Sequence, residues 1–278
     1  MSSLCGRVCA LLALVLLGGA PARAEGNAHV LRACADPNDL PFSNQREQGF
    51  ENRIARLIAA DLGMELQYTW RAQRRGFIRN TLDAGQCDVV AGVPAGYEPT
   101  LTTRPYYRSS YVALTRADRG LWIASLDDPR LRELRIGVQM IGDDFANTPP
   151  AHALSRRGIV ENVRGYPVYG NYAEASPTAR IVRAVGSGEV DLALVWGPLG
   201  GYFAALEHPP LVVTPLAAST EDGLPFAFDI AVGVRKHDLA LRDRLDEVLA
   251  RRKDDIDRIL AEYHVPRVGK MSAAGNGQ

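Results

Sequence analysis

Apolar and polar positions follow two different periods in the first part of the chain. Apolar residues recur at helical spacing from Phe50 to Leu62 and again from Phe77 to Leu82. Between these segments, Met64 to Trp70 alternates apolar and polar positions as a strand does, and Asp88 to Val93 is rich in valine. With a first strand starting at Val30, the order is strand–helix–strand–helix–strand. It predicts a mostly parallel sheet with helices on both faces.

The same order recurs later in the chain. Arg135 to Gln139 and Asp191 to Trp196 are short apolar runs typical of buried strands. Thr148 is placed to cap a helix that begins with two prolines, and Tyr166 to Tyr169 is a candidate strand. A further helix opens at Ser176, before another proline. The second set of elements therefore predicts a second α/β unit.

Matching residues stand 103 positions apart in the two sets. The matches are Leu31-Arg32 with Leu134-Arg135, Gly85 with Gly188, and Asp88 with Asp191. A glycine that ends a helix, followed by an aspartate that leads into a strand, is how a chain turns in an α/β layer. Three matches at one offset indicate two similar lobes, although chance recurrence of a common turn is the alternative.

The C-terminal part predicts a return to the first lobe. A strand is expected from Phe226 to Val234, followed by a helical pattern from Leu241 to Tyr263 that the charged residues 251–255 divide into two helices. Short strands near Tyr111–Arg116 and Leu211–Leu216 are the expected crossings between lobes. We therefore predict lobe 1 at 25–114 and 217–267, lobe 2 at 115–216, and a disordered tail at 268–278.

The first 24 residues predict a cleavable signal peptide and hence a periplasmic protein. Arg7 precedes an uncharged, mostly apolar run from Ala10 to Ala20, and Ala22-Arg23-Ala24 fits the small-x-small cleavage pattern. The full sequence has 32 basic and 32 acidic residues, and cleavage would remove Arg7 and Arg23 but no acidic residue. The mature chain would therefore carry a slight net negative charge. That balance offers no broad electrostatic case for binding nucleic acid or an anionic membrane surface, and no membrane insertion is expected.

Cys34 and Cys87 are the cysteines that remain after cleavage. Export makes a disulfide chemically feasible. Cys34 falls late in its predicted strand and Cys87 at the start of its own, an offset that could exceed the reach of a bridge. A Cys34–Cys87 disulfide and two buried thiols are therefore both open.

Long segments resemble the type 2 periplasmic solute-binding fold. They include LRACADPNDLPF at 31–42, GFENRIARLIAADLG at 49–63 and LDAGQCDVVAGV at 82–93, and the resemblance covers residues 28–267. It implies an α/β protein with two Rossmann-like lobes, hinge strands and a central cleft.

A narrower resemblance is to the periplasmic J proteins, MxaJ and XoxJ, encoded beside quinoprotein methanol dehydrogenases. It rests on ACADPNDLPFSN, IGVQMIGDDFANTPPAHALSRRGIV and VWGPLGGYFA, among other segments. It implies a monomer that binds a methanol dehydrogenase dependent on pyrroloquinoline quinone (PQQ) and assists its maturation or activation by contact. The alternative is a small-molecule receptor of an ABC transporter linked to alcohol oxidation.

Amino-acid receptors of this fold hold their ligand with an arginine and an aspartate, and neither is present at the matching positions. Arg104 stands too close to the following strand, and the aspartate position reads Trp196-Gly197-Pro198. Aromatic residues are expected at the cleft instead: Phe42, Trp70, Tyr97, Tyr106, Tyr107, Trp196, Tyr202 and Phe203. Such surface suits an inserted segment of a protein partner, whereas each ring on its own is as readily a core residue.

Four charged residues complete the predicted cleft. Arg74 and Arg75 lie between a strand and a helix, where they would meet an anionic group or remain solvated. Asp143 and Asp144 would suit a cation, a backbone amide or an arginine of a partner. They could join Asp36 and Asp39 around a metal, but no loop has the calcium-binding pattern, so no metal site is predicted.

Catalytic chemistry finds no support in the sequence. The five histidines are scattered, and the chain has no nucleophile elbow, phosphate loop or dinucleotide fingerprint. We therefore expect neither a catalytic residue nor a resident cofactor, and a binding protein rather than an enzyme.

Overall fold

The computed structural model describes residues 29–141, 147–216 and 225–269. Its strands and helices are β1 Val30–Ala35, β2 Asn38–Asp39, β3 Ser43–Asn44, α1 Phe50–Asp61, β4 Glu65–Trp70, α2 Phe77–Asn80, β5 Val89–Pro94, β6 Leu101–Thr102, β7 Tyr107–Arg116, β8 Ile136–Met140, α3 Pro149–Arg156, β9 Val163–Pro167, α4 Arg180–Gly186, β10 Leu192–Trp196, α5 Gly197–Ala204, β11 Leu211–Pro215, β12 Ala227–Val234, α6 Leu239–Arg251 and α7 Lys253–Glu262. None of the helices in these ranges is long and apolar enough to cross a membrane. The predicted signal peptide lies outside the described residues, as does nearly all of the predicted tail.

The sheet consists of two parallel halves joined by antiparallel strands. Its order is β4-β1-β5-β12-β7-β10-β8-β9 in the described residues, with β11 also paired to β7 and β6 to β12. β1 runs parallel to β4 and β5, and β8 runs parallel to β9 and β10. The first lobe is built around β4-β1-β5 and the second around β10-β8-β9. The predicted two-lobed α/β fold is thereby confirmed.

One long strand passes from lobe to lobe. β7 pairs with β12 over Tyr107–Ser110, and with β10 from Tyr111 onward. The change of partner therefore falls between Ser110 and Tyr111, a few residues before the boundary predicted at 114. Residues 217–224, on the other expected crossing, lie outside the described residues, and the division into 25–114, 115–216 and 217–267 stays a prediction.

The internal repeat is visible as the same ion pair in each lobe. Arg32 donates from its backbone N, Nε and Nη2 to Asp88, at 3.1, 3.0 and 2.6 Å. Arg135 donates from the same three atoms to Asp191, at 3.0, 3.0 and 2.8 Å. The glycines before the two aspartates share a left-handed backbone, with φ of 70° and 75°, which favours glycine at both turns. The matches at one offset therefore mark equivalent places in two similar lobes.

Each lobe has its own apolar core. In the first lobe, α1 packs against α6 and α7, and Phe50, Ile54 and Leu245 are fully buried there. In the second lobe, α4 and α5 pack on the sheet around Leu114, Val182 and Val195. A fully buried side chain of this size contributes about 1.5–3 kcal/mol to folding, so each lobe can hold its own strands in register.

Several elements differ in detail from the predictions. α2 is a single turn that ends at Asn80, where Thr81 leaves the helical conformation (φ −128°, ψ −77°) and its hydroxyl donates to the Phe77 carbonyl at 2.6 Å. Thr148 occupies the N-cap position of α3 as expected, but its side chain makes no capping hydrogen bond, and its hydroxyl donates to the Gln139 carbonyl at 2.7 Å. The strand expected at 166–169 begins earlier, at Val163. The break between α6 and α7 is confirmed at Arg252.

Cys34 and Cys87 form a disulfide, with 5.6 Å between their Cα atoms. The offset that counted against the bridge is closed by the backbone, because the Asp88 amide donates to the Arg32 carbonyl at 2.8 Å. That hydrogen bond brings the residue before β5 beside the middle of β1, which places Cys87 within reach of Cys34. Both cysteines are buried among Phe77, Ile78 and Leu82. The bridge therefore links β1 to the residues that lead into β5, and α2 packs against it.

Candidate functional site

A cavity of about 280 Å³ lies between the lobes. Its lining is Asp36, Asn38, Asp39, Phe42, Glu51, Gln73, Ala91, Gly92, Val168, Tyr169, Gly170, Tyr172, Thr178 and Trp196. Asp36 directly follows β1, Val168 follows β9, and Trp196 ends β10. Ligands of open α/β sheets bind at the carboxyl ends of strands. The cavity therefore occupies the expected place for a site in this fold, and we call it the inter-lobe cavity.

Asp36 is a buried polar group of the cavity wall with three hydrogen-bond partners. Only 3% of the residue is exposed. Its carboxylate accepts hydrogen bonds from the backbone N–H of Asn38 at 2.8 Å, from the backbone N–H of Gln73 at 2.7 Å and from the Tyr172 hydroxyl. The bond to Asn38 is an Asx turn, in which an aspartate side chain binds the backbone two residues on. Asp36 thus fixes the turn after β1 and also contacts the second lobe.

Residues 171–178 of the second lobe dock directly on the first lobe. Besides Tyr172, the Glu174 carbonyl accepts from Asn38 Nδ2 at 2.8 Å, and the Thr178 hydroxyl donates to the Leu40 carbonyl at 3.2 Å. The Arg74 guanidinium lies 5.4 Å from the centre of the Tyr172 ring, within cation–π range. These contacts join the lobes across the mouth of the inter-lobe cavity.

The inter-lobe cavity is acidic. Burial raises the pKa of the Glu51 carboxyl to about 8. Burial, together with the nearby charges of Asp36 and Glu51, raises the pKa of the Asp39 carboxyl well above its usual range. Glu51 lies in the first turn of α1, where the helix dipole favours a negative charge by about 0.3–1 kcal/mol. The desolvation of Glu51 outweighs that effect, so the cavity holds carboxyl groups that ionise reluctantly.

Gly92 permits Glu51 to occupy this position. A Cβ at Gly92 would collide with Glu51 Oε1, and the residue has φ of +77°. Any other residue would therefore displace the carboxyl group and strain the strand. A glycine inside a strand often marks such a close approach.

Two of the predicted aromatic residues line the inter-lobe cavity. Phe42 packs against Phe50, with 5.5 Å between ring centres. The Trp196 ring lies edge-on to Tyr111 at 5.4 Å and to Phe228 at 5.8 Å, and its backbone amide donates to Gln139 Oε1 at 2.9 Å. Both rings are held rigidly and present apolar surface to the cavity.

The other predicted aromatic residues contact neighbours elsewhere. Tyr106 and Tyr107 pack with the core of the first lobe, and Phe203 is buried in the core of the second. Burial and the charge of Glu51 raise the pKa of both tyrosines well above its usual range. Tyr202 stacks on Tyr263 at 5.6 Å. The Trp70 ring stacks on Tyr68 at 4.4 Å, and Trp70 is not among the residues lining the cavity.

Three predicted residues line a second depression. Arg74, Arg75 and Tyr97 border a groove of about 560 Å³ beside the inter-lobe cavity. Tyr169 of the second lobe lines both. Asp143 and Asp144 lie outside the described residues, and their predicted role stays a prediction.

The anchors for a free amino acid are missing from the inter-lobe cavity. Its described lining contains no arginine or lysine. Arg104 instead faces Asp246 of α6, with 3.6 Å between its Nε and the carboxylate. The described ranges also contain no group of three or more metal-binding side chains suited to holding an ion.

Sequence reasoning overlooked Glu51, Tyr169 and Tyr172. Glu51 resembled an ordinary first-turn helix residue, and the two tyrosines fall in a stretch without periodicity. The signal available was Gly92 inside a valine-rich strand, which indicates that something approaches the strand closely.

Comparison with known proteins finds relatives that match nearly all of the described residues. The family described as bacterial extracellular solute-binding proteins, family 3, matches residues 31–266. Protein MoxJ of Methylorubrum extorquens is 36% identical over 87% of this chain and 83% of its own. The crystal structure of periplasmic binding protein XoxJ from Methylobacterium extorquens AM1 is 34% identical and has a TM-score of 0.71, covering 86% of this chain and 100% of that one. MxaJ from Methlophaga aminisulfidivorans MPT is 25% identical with a TM-score of 0.75, at the same coverage.

Proposed function

The chain belongs to the bacterial extracellular solute-binding proteins, family 3, and on that premise we propose that it is a periplasmic accessory protein of a PQQ-dependent methanol dehydrogenase. In this proposal it binds the dehydrogenase and assists its maturation or activation by contact. It performs no turnover of its own and holds no cofactor.

The proposal rests on one combined observation: the chain is similar to MoxJ and XoxJ, and its inter-lobe cavity lacks the cationic group that a free amino acid needs. MoxJ and XoxJ match nearly the whole described chain, and the described lining of the inter-lobe cavity offers three carboxyl groups and no cationic anchor. A free amino acid needs a donor for its carboxylate, and a guanidinium usually supplies it. The chain therefore has the family fold, but the described lining of its inter-lobe cavity lacks the cationic group that would bind an amino-acid carboxylate.

The aromatic surface at the inter-lobe cavity supports contact with a protein segment. Phe42 and Trp196 present rings from opposite lobes, with Tyr169 and Tyr172 beside them. Rigid aromatic rings of this kind are frequent hot spots in protein interfaces. A cavity of about 280 Å³ has room for a single side chain but not for a folded segment. The two lobes must therefore move apart when the partner binds.

A second candidate is a small-molecule receptor of a transporter. The small volume of the inter-lobe cavity and the raised pKa of its Glu51 carboxyl favour a small ligand that can donate hydrogen bonds. The two candidates differ in the size of the ligand and in whether the dehydrogenase is needed.

The test is calorimetric titration of the mature protein with dehydrogenase purified from a strain lacking it, followed by assay of methanol oxidation. We expect saturable binding, a rise in dehydrogenase activity and weaker binding by Trp196→Ala. Trp122→Ala is the matched control, because Trp122 is 64% exposed and does not line the cavity. Absence of binding to both immature and mature dehydrogenase would refute the proposal and direct attention to a small-ligand screen by thermal stabilisation.

A further inference from the structure

The groove beside the inter-lobe cavity has a chemistry of its own. It runs between residues 73–79, the end of β5 with the following turn through Pro99, and Tyr169 of the second lobe. Its volume of about 560 Å³ is twice that of the cavity, and it lies within the usual range for binding sites. We call it the arginine groove.

Positive charge dominates the arginine groove. Arg74, Arg75 and Arg79 line it, and Asp83 is the single acidic residue in its described lining. Arg74 lies over the Tyr172 ring, and the guanidinium of Arg79 lies beside Gly76. Within the described ranges neither Arg74 nor Arg79 forms an ion pair, whereas arginines such as Arg32 and Arg135 are fully engaged with aspartates.

An apolar wall faces these arginines. Tyr97 is 40% exposed and its amide donates to the Pro94 carbonyl at 3.0 Å, which fixes the turn that carries the ring. Pro94, Pro99 and the buried Phe77 continue the wall. Exposed arginine and tyrosine are enriched at the centres of protein interfaces.

We propose that the arginine groove binds an acidic segment of a protein partner, its carboxylates pairing with Arg74 and Arg79 and an adjacent apolar side chain packing on Tyr97. The proposal rests on the proposed function, since it takes the dehydrogenase as the partner that supplies the segment. A guanidinium binds a carboxylate bidentately, and the two arginines lie on an open rim rather than converging on one buried point. That arrangement suits carboxylates spread along a peptide better than a single small anion.

The position of the arginine groove gives such binding a consequence. Tyr169 and the Arg74–Tyr172 contact belong to the junction between the lobes. A segment whose carboxylate pairs with the edge of the Arg74 guanidinium lies beside the Tyr172 ring and touches both lobes. Binding in the arginine groove is therefore coupled to the contact that joins the lobes at the cavity.

The test compares two charge-reversal variants of the mature protein in titration against the dehydrogenase. Arg74→Glu/Arg79→Glu should weaken binding about 100-fold, with about tenfold from each lost charged contact, and should slow association at low salt. Arg183→Glu/Arg244→Glu is the control, because it makes the same change in net charge at exposed residues that line neither the groove nor the cavity. Thermal unfolding of both variants establishes that they fold.

Each outcome decides the matter. Equal affinity of the two variants, with wild-type protein binding normally, would overturn the arginine groove while leaving the proposed function standing. Failure of the wild-type protein itself to bind the dehydrogenase would overturn both.

Discussion

Replacing Tyr172 with phenylalanine should loosen the junction between the lobes. The Tyr172 hydroxyl donates to the Asp36 carboxylate, which also accepts hydrogen bonds from the backbone N–H groups of Asn38 and Gln73. Burial and the Asp36 charge raise the pKa of Tyr172, so the hydroxyl remains a donor throughout the neutral range. Tyr172→Phe removes the donor from a carboxylate that is only 3% exposed, while the ring and its contact with Arg74 are retained.

The size of the effect follows from the charge of the acceptor. A hydrogen bond to an ionised group contributes about 1.5–3 kcal/mol net, which corresponds to a shift of about 10- to 150-fold in the equilibrium between joined and separated lobes. Two neutral hydrogen bonds remain at the same junction, from Asn38 to the Glu174 carbonyl and from Thr178 to the Leu40 carbonyl. These contribute about 0.5–1.5 kcal/mol each, so the single substitution removes a large share of the junction.

Small-angle X-ray scattering and hydrogen exchange measure the outcome. Tyr172→Phe should increase the radius of gyration and speed amide exchange at residues 36–40 and 171–178. Tyr202→Phe is the control, because its ring stacks on Tyr263 and, in the part of the chain described, its hydroxyl has no hydrogen-bond partner. If the two variants have the same scattering and exchange as wild-type protein, the hydroxyl does not hold the lobes together and the reasoning is refuted.

Three further predictions concern stability. Because the pKa of Glu51 is raised from 4.5 to about 8, the folded protein binds more protons than the unfolded chain between about pH 4.5 and 8, and its stability should fall across that window. Glu51→Gln should flatten this fall in urea denaturation by up to about 5 kcal/mol, and an unchanged slope would contradict the assignment. Burial raises the pKa of Asp88, but hydrogen bonds from Arg32 and Arg235 outweigh this effect and leave the pKa lowered. The ionised Asp88 therefore stabilises the fold above about pH 4, and this contribution is lost as the pH falls further. Asp88→Asn should therefore cost about 1–2 kcal/mol at pH 7 and much less at pH 3, whereas equal losses at the two pH values would exclude an ionic contribution. Reduction of the Cys34–Cys87 bridge, which spans a sequence separation of 53, should cost about 4 kcal/mol by loop entropy, and a Cys34→Ser/Cys87→Ser variant insensitive to reductant is the control.

The fold could be predicted largely because its signals are local and repeated. Helical spacing from Phe50 onward, the valine-rich strand after Asp88 and the charged break before α7 each determine one element in a few residues. The offset between Asp88 and Asp191 added a global constraint. Details that depend on competition between hydrogen bonds were wrong, as with Thr148, whose hydroxyl binds a strand carbonyl from nine residues earlier instead of capping its helix.

The site could be predicted only in part, because strand ends indicate position but not the direction of a side chain. Tyr107 is the first residue of β7, the strand that crosses between the lobes, and Tyr106 precedes it, yet both pack with the core of the first lobe. Phe203 lies one position after Tyr202 on α5 and is buried in the core of the second. Tyr172 reaches Asp36 across 136 residues of sequence, and no local pattern encodes a contact of that kind.

The inter-lobe cavity and the arginine groove are adjacent and differ in chemistry, so in the proposal one partner uses both. The inter-lobe cavity presents Asp36, Asp39 and Glu51, whereas the arginine groove presents Arg74 and Arg79, and the two share Gln73, Gly92 and Tyr169 in their lining. In the proposal, an acidic segment pairs with the groove arginines, whereas the described lining of the cavity offers it no cationic group, so its carboxylates stay in the groove. A neighbouring apolar or donor side chain of the same segment can then enter between Phe42 and Trp196 once Tyr172 releases Asp36. Binding should therefore weaken with added salt through the groove, while Trp196→Ala should weaken binding equally at low and high salt.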